Sequence, residues 1–516
     1  MNDSELLTKI KDRLDAISMI GIDHEKGGWT RLAYTAEEDA VHQYAIDEYT
    51  RLGLDVSTDD FGNLFARDLN HRNVKTWLLG THLDTVPQGG NFDGVVGFVA
   101  ALTAYEYAVS KGANPCAELC VFRAEESTRF GKACLGSRLA FGKLSSFEVG
   151  KLLDGATDRR QDSQGGSVDN DSRKQAVSLR DILFSRGFSY RDDIEVRKKK
   201  KEDYKGYLEV HIEQARVLEM ASERIGLVTS IRAPERRPFF VRGVRGVRGV
   251  RTVKSVAAMI LAAEWNCRLA AVSGIDIVGT IGWVNGFFNN VEKINTVPGT
   301  VLFMLNAVPS ALEKKFEQIK KGMDIGFVDV GKENALPGAV VKVMGTADHS
   351  GGTPMGRVYR RDALVAAAEM VLSADDDMID NPEEIEFRLD IRSNDSSMRS
   401  IVLSQIINDF FKISSQFGTQ LIVADPIEQT APVDCLDNDL REKVKECAKR
   451  TGVRTYDVPS GAGHDAMIAH QTGIPSAMLF IPCKDGISHQ KDESANTEDI
   501  LLATKILGEF LICHQK

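Results

Sequence analysis

The stretch Leu78-Leu79-Gly80-Thr81-His82-Leu83-Asp84-Thr85-Val86-Pro87, followed by Asn91-Phe92-Asp93-Gly94, constrains the fold more than any other part of the chain. Trp77 to Leu79 is an apolar run that reads as a buried strand ending at Gly80. In open α/β sheets, ligand sites gather at the carboxyl ends of strands. His82 and Asp84 follow directly, and two residues apart on extended backbone they share a face. That suits a metal-bound imidazole whose other nitrogen is oriented by a carboxylate. Asp93 stands between glycine-containing turns, just before the helix-like run Val95 to Ala104, and its two oxygens can bridge two cations. The plainer alternative is a capped turn, with Asp93 as N-cap and His82 on the surface.

A chain of 516 residues suggests more than one domain and ample core. Its formal charge of -10 argues against nucleic acid or a membrane surface as partner of the whole molecule. No apolar run approaches the roughly 20 residues of a membrane span. Met1 to Leu14 lacks the apolar region of a signal peptide. Eight cysteines without CxxC pairs read as reduced thiols of a cytoplasmic protein.

Ser4 to Ile20 has the period of an amphipathic helix, and Thr35-Ala36-Glu37-Glu38 looks like a capping box opening another. Helix and strand signals alternate to Phe141, which predicts an α/β, doubly wound sheet with parallel strands. The strand Leu119 to Phe122 delivers Glu125 and Glu126. Adjacent carboxylates at a strand end are costly to hold without a cation or a shared proton. One can ligate a metal while its neighbour acts as general base; two solvated glutamates are the alternative. Tyr207 to Gln214 reads as a strand with His211 and Glu213 on one face. Residues 153–174 read as a polar loop excursion, and Arg197 to Lys201 as a solvated basic face.

From Arg232 the pattern changes. Val241 to Arg251 is a Val-Arg-Gly triplet tract that reads as a mobile loop. After it, two segments repeat a similar order of elements, a degenerate internal repeat. The expected domains are therefore a catalytic part over 1–231, a degenerate lid-like unit over 232–337, a lid or dimerisation unit over 338–426, and the rest of the catalytic domain over 427–516. The second unit presents His349 in a glycine- and hydroxyl-rich loop and Arg392 at a strand end, where a guanidinium suits a bidentate carboxylate contact. A turn histidine and a surface ion pair are the plainer alternatives. His464 and His489 close the pattern, each in a loop at an element end. Five of the ten histidines thus lie at strand ends or in glycine-flanked loops beside carboxylates. Nitrogen and oxygen donors of this kind suit Zn, and also Mn, Co or Ni.

The motifs His82-Leu83-Asp84, Asn91-Phe92-Asp93-Gly94, Glu125-Glu126, His211-Ile212-Glu213-Gln214, Asp348-His349-Ser350-Gly351-Gly352-Thr353-Pro354-Met355, Asp390-Ile391-Arg392-Ser393, Gly463-His464-Asp465 and Ile487-Ser488-His489 stand in one order. In them the chain resembles the hydantoinase/carbamoylase amidases of the M20 metallopeptidase clan: N-carbamoyl-L-amino-acid hydrolases, β-ureidopropionases and allantoate amidohydrolases. The resemblance covers about Leu6 to Ile231 and Gly338 to the C-terminus. It implies a catalytic domain with two divalent metal ions, Zn foremost, and an inserted lid through which the protein forms a homodimer. It implies His82, Asp93, Glu126, His211 and His489 as metal ligands, Asp93 bridging, Glu125 as general base, and Asp84 behind the first histidine. His349 would be catalytic, and Arg392, Gln214, His464 and Asn295 would contact a small substrate carrying a carboxylate.

The activity so implied is metal-dependent hydrolysis of a linear C–N amide or ureido bond, foremost of an N-carbamoyl-L-amino acid. An allantoate amidohydrolase or an aminoacylase/dipeptidase on the same fold is the alternative, and a metal-binding pseudoenzyme with a non-closing lid the second. The lid departs from the family's pattern. The strand Val278-Gly279-Thr280-Ile281-Gly282 and the turn Asn295-Thr296-Val297-Pro298-Gly299 fall in the first lid segment, while His349 and Arg392 fall in the second.

Overall fold

The computed structural model describes the chain except residues 73, 155–176, 189–198, 244–251, 286–295, 298–299, 306–309, 324–326, 332–338, 345–347, 350–354, 356–361, 375, 377–378, 380–381 and 516. Asn295, the polar excursion beyond residue 154 and most of the Val-Arg-Gly tract lie outside the described residues. For His349 the backbone alone is described. Two compact units emerge: Met1–Ile231 with Cys435–Lys516, and Arg232–Asp434.

The first unit is built on an eight-stranded sheet in the order Asp55–Thr58, Leu64–Arg67, Ala117–Phe122, Thr76–His82, Tyr204–Ile212, Ser476–Ile481, Gly226–Ile231, Tyr456–Ser460. The four strands from Ala117–Phe122 to Ser476–Ile481 are mutually parallel, as the alternating pattern predicts. They are buried almost throughout; Thr76–His82 and Ser476–Ile481 read as apolar runs, while Tyr204–Ile212 alternates, with Leu208, Val210 and Ile212 on one face and Glu209 and His211 on the other. Helices Asp3–Ser18, Val95–Ser110, Asn438–Arg450 and Thr497–Cys513 pack together, sharing one core cluster with the strands. Parallel strands end on one edge, so His82, the turn after Phe122, His211 and the loop after Ile481 come out together.

One local expectation changes and one alternative falls away. The Thr35 hydroxyl donates to Leu32 O instead of capping its helix, and Glu38 turns inward to accept from Tyr34 N, Arg123 Nη1 and Ala124 N. Asp93 does not cap Val95–Ser110 either; Gly94 holds that position at φ +68°. A Cβ on Gly94 would lie 2.5 Å from His82 O, so glycine is required there.

The second unit corrects the expectation of two successive lid segments. Its main sheet runs Thr419–Val423, Ala233–Gly243, Glu384–Ser393, Ile277–Asn285, all antiparallel. A second sheet sets Ala339–Met344 between Thr300–Leu305 and Phe327–Gly331. Strands from either side of residue 337 therefore interleave. The order of elements was readable from period, but strand partners are non-local choices fixed by which apolar faces meet. The strand and turn of the first segment thus pair with strands of the second: Val278 sits opposite Arg392, and Thr296 opposite His349. The helix Thr252–Val272 is long and apolar enough to cross a membrane by length and composition alone, although Lys254, Glu264 and Arg268 interrupt its apolar run. Half of its apolar window is buried, with Val253, Val256, Ala257 and Ile260 in the core of this unit.

Candidate metal centre

At the carboxyl edge of the first sheet, two groups of donors share Asp93: His82 with His211, and Glu126 with His489. His211 Nε2 lies 2.9 Å and His82 Nε2 3.4 Å from Asp93 Oδ1, and the two imidazole nitrogens are 3.3 Å apart. His489 Nε2 lies 3.5 Å from Asp93 Oδ2 and 3.2 Å from Glu126 Oε1. None of the five is more than 9% exposed. Bonds of about 2.05 Å around a tetrahedral cation separate ligand atoms by about 3.4 Å. The donor spacings and the all-N/O chemistry therefore fit divalent cations, with one Asp93 oxygen turned to each group.

The imidazoles are aimed from behind. His211 Nδ1 donates to Ile212 O at 2.8 Å, and His82 Nδ1 lies 3.2 Å from Asp84 O and 3.4 Å from Asp84 Oδ1. Both assignments leave Nε2 as the free lone pair toward the centre. Asp84 also accepts from Glu125 N at 3.1 Å and Glu126 N at 3.0 Å, so it fixes the glutamate turn against the histidine strand. Ala124, Gln214 and His489, in turns that present site residues, hold positive φ of 54°, 56° and 63°.

Glu125 stands beside the cluster. Its Oε1 accepts from Cys134 Sγ at 3.2 Å, and its Oε2 lies 4.0 Å from His82 Nε2. Burial pushes the Glu125 carboxyl well above the usual range; His82 opposes this and Glu126 adds to it. For His489, burial disfavours the charged ring, but Glu126 and Asp93 outweigh it and raise the pKa to about 10. Burial acts in the same sense on His82, and the Asp84 and Asp93 carboxylates overcome it.

Of the remaining expected residues, Gln214 Nε2 donates to Asp93 Oδ2 at 2.5 Å and to Ser488 Oγ at 3.3 Å. The His464 ring packs 4.5 Å from that of His211, and its Nε2 is 3.0 Å from Ser460 Oγ. Arg392 lies in the second unit, buried, with its guanidinium on Asp390.

Sequence reasoning missed three supporting groups. Arg31 is fully buried, donating to Leu83 O, Ile20 O and Asn91 Oδ1, which ties the His82 loop to the Asp93 turn. Arg123 pairs with Glu38 at 2.6 Å beneath the glutamate turn. Glu493 accepts four hydrogen bonds beside Asp93 and His489. Burial, with the nearby Asp93, pushes its carboxyl to about 7 against the backbone donors. None of the three belongs to an apolar period or a motif, so nothing in the sequence marked them.

Residues 78–512 match peptidase family M20/M25/M40. The chain belongs to that family. This M20 chain is similar to an N-carbamoyl-L-amino-acid amidohydrolase of Pseudomonas sp. (strain NS671), at 27% identity over 98% of each chain. It is also similar to a ureidoglycolate hydrolase of Oryza sativa subsp. japonica, at 26% over 98% of this chain and 84% of the relative. An allantoate amidohydrolase of Bacillus subtilis (strain 168) is 23% identical, over 97% and 96%. Among solved structures, a hydantoinase/carbamoylase family amidase from Burkholderia vietnamiensis shares the M20 fold at a TM-score of 0.67, with 19% identity over 99% of this chain and 97% of that one.

Proposed function

We propose that this M20 protein is a metal-dependent amidohydrolase that cleaves a linear C–N amide or ureido bond, its substrate an N-carbamoyl-L-amino acid. The observation that carries this reading is the pair of donor groups sharing Asp93 with an unligated carboxylate, Glu125, alongside. His82, Asp93 and His211 would hold one divalent cation, and Asp93, Glu126 and His489 a second; Zn suits the donors, as do Mn, Co or Ni. Cations bound there supply Lewis-acid chemistry, acidifying water and polarising a carbonyl oxygen.

The chain's own residues do the rest. Glu125 Oε2 takes a proton from the attacking water and returns it to the leaving nitrogen; burial raises its pKa, which favours its holding the proton between the two transfers. Burial of the whole centre excludes bulk water and strengthens each charge interaction. Gln214 and His464 border the centre, which supports assigning them as substrate contacts. We assign His349 to the carbonyl oxygen and Arg392 to the substrate carboxylate, and we take the second unit as the lid through which two copies pair. Asn295 is kept as a substrate contact from the resemblance alone. All eight cysteines are free, which suits the cytoplasm.

The relatives' names add allantoate to the substrates worth testing. Ammonia release is the readout, from a panel of N-carbamoyl-L-amino acids and allantoate, with Zn, Mn, Co or Ni added or withheld. Metal-dependent release from the carbamoyl compounds is expected. Turnover of allantoate alone would reassign the substrate, and no turnover with any metal would leave a metal-binding pseudoenzyme.

A further inference from the structure

Glu493 stands 400 residues from Asp93, yet its carboxylate lies against the Asp93 turn. Oε1 accepts from Phe92 N at 2.8 Å and Asp93 N at 3.0 Å. Oε2 accepts from His489 N and Ser488 Oγ, both at 3.2 Å. One carboxylate thus spans the turn carrying the shared aspartate and the turn carrying the last imidazole. Ser488 Oγ closes the arrangement: it also lies 3.1 Å from Asp93 Oδ2, so its single proton is shared between the two carboxylates. Gly90 is matched to it: a Cβ there would lie 2.2 Å from Glu493 Cδ and Oε1. Only a residue without a side chain lets the carboxylate reach the turn.

We propose that Glu493 is a positioning residue that sets Asp93 against His489 and so builds the Asp93–Glu126–His489 cation site. This rests on the two-cation reading above. The charge type matters because four donors converge on two oxygens. A glutamine would keep one oxygen and turn an NH2 group toward N–H donors it cannot accept from. The other site depends on it less: His82 and His211 come from adjoining regions of the central strands and are aimed by Asp84 and by Ile212 O. Loss of Glu493 therefore loosens one donor group more than the other.

The test is titration of the full-length, metal-stripped protein with Co(II), followed by calorimetry and by visible absorption. The wild type is expected to bind two equivalents. Glu493→Gln is expected to hold the first as the wild type does and to weaken the second by about tenfold or more, the scale seen when partners behind ligands are removed. Gly90→Ala, which displaces the same carboxylate sterically, is expected to give the same split. Glu118→Gln is the control, since Glu118 is equally buried and pairs with Arg67 and Tyr204 instead; it is expected to lower stability with both equivalents retained. Should Glu493→Gln not fold, Ser488→Ala removes one donor of the clasp and is expected to weaken the second equivalent alone. Both equivalents unchanged in the Glu493 and Ser488 variants, or both weakened equally, overturns the proposal. A wild type that binds a single equivalent overturns the two-cation reading, and this proposal with it, and is recognised without any variant.

Discussion

Arg392 and Asp390 lie two residues apart on one face of the strand Glu384–Ser393, with Arg392 Nη2 2.8 Å from Asp390 Oδ2 and both side chains buried. Arg236, from the neighbouring strand, reaches the same Asp390 oxygen at 3.3 Å. Two guanidinium groups thus share one carboxylate, which fixes their planes. A guanidinium held in this way is pre-oriented for a second, incoming carboxylate. Arg392→Ala is expected to raise KM more than tenfold, above roughly 1.4 kcal/mol, for substrates with a free carboxylate. The matching amide should lose little. Equal effects on acid and amide would remove the anchoring role and leave Arg392 as a structural cation.

The same cluster makes the second unit acid-sensitive. Burial raises the pKa of Asp390, but Arg392 and Arg236 outweigh it and hold the carboxyl below its ordinary 3.8. A carboxyl with a depressed folded-state pKa stabilises the fold above the unfolded value and loses that stabilisation as pH falls through the folded one. Asp390→Asn removes the carboxylate that Arg392 and Arg236 share and leaves Arg236 on Glu428, a loss of about 3–5 kcal/mol for a broken buried pair. Urea unfolding between pH 2 and 7 is the check. The wild type should weaken below about pH 4, and the variant should be less stable at pH 7 with a flatter acid limb. An unchanged acid limb would show that other carboxylates govern it.

Glu125 and Glu126 can be separated by metal content. Glu125→Gln is expected to cut turnover by at least about a hundredfold, the lower range for a lost proton-transfer group, with metal content unchanged. Glu126→Gln is expected to lower occupancy as well, because its Oε1 belongs to the His489 group. Metal analysis beside kcat decides. If the two variants exchange phenotypes, the roles within the pair are reversed.

The sequence was most informative where chemistry and period coincide. Thr76–His82 was legible as an apolar run and Tyr204–Ile212 as an alternation of apolar and polar faces, and both lead into residues no core needs, His82 with Asp84 and His211 with Gln214. Glu493, Arg31 and Glu38 were not legible, because each acts through backbone groups far away in sequence, and such contacts leave no local pattern. The Thr35 capping box misled for the same reason: Glu38 was claimed by Arg123 and Ala124 N rather than by its own helix. In the second unit the elements were readable but their partners were not. Val301 opposite Val343 and Phe387 opposite Val284 are pairings that a period of two permits but does not select.

That interleaving bears directly on which part of the chain can be removed. Ala233–Gly243 and Ile277–Asn285 are the two neighbours of Glu384–Ser393, so deleting residues 232–337 strips both sides of a ten-residue strand. It also removes both partners of Ala339–Met344. The remainder would expose unpaired strand edges and apolar faces, and is expected to aggregate. Removing residues 232–434 entirely is different. All five proposed ligands and Glu125 lie in the first unit, and Leu436 N already donates to Thr229 O at 2.8 Å. The cut ends therefore lie side by side and a short linker can join them. The excised protein is expected to fold, to bind metal with the stoichiometry of the full chain, and to lose turnover if His349 and Arg392 contact substrate as proposed. Metal bound at 100 times its dissociation constant should stabilise it by about 2.7 kcal/mol, seen as a higher unfolding temperature that a chelator reverses. A folded excision product without bound metal would show that the second unit contributes to the centre itself.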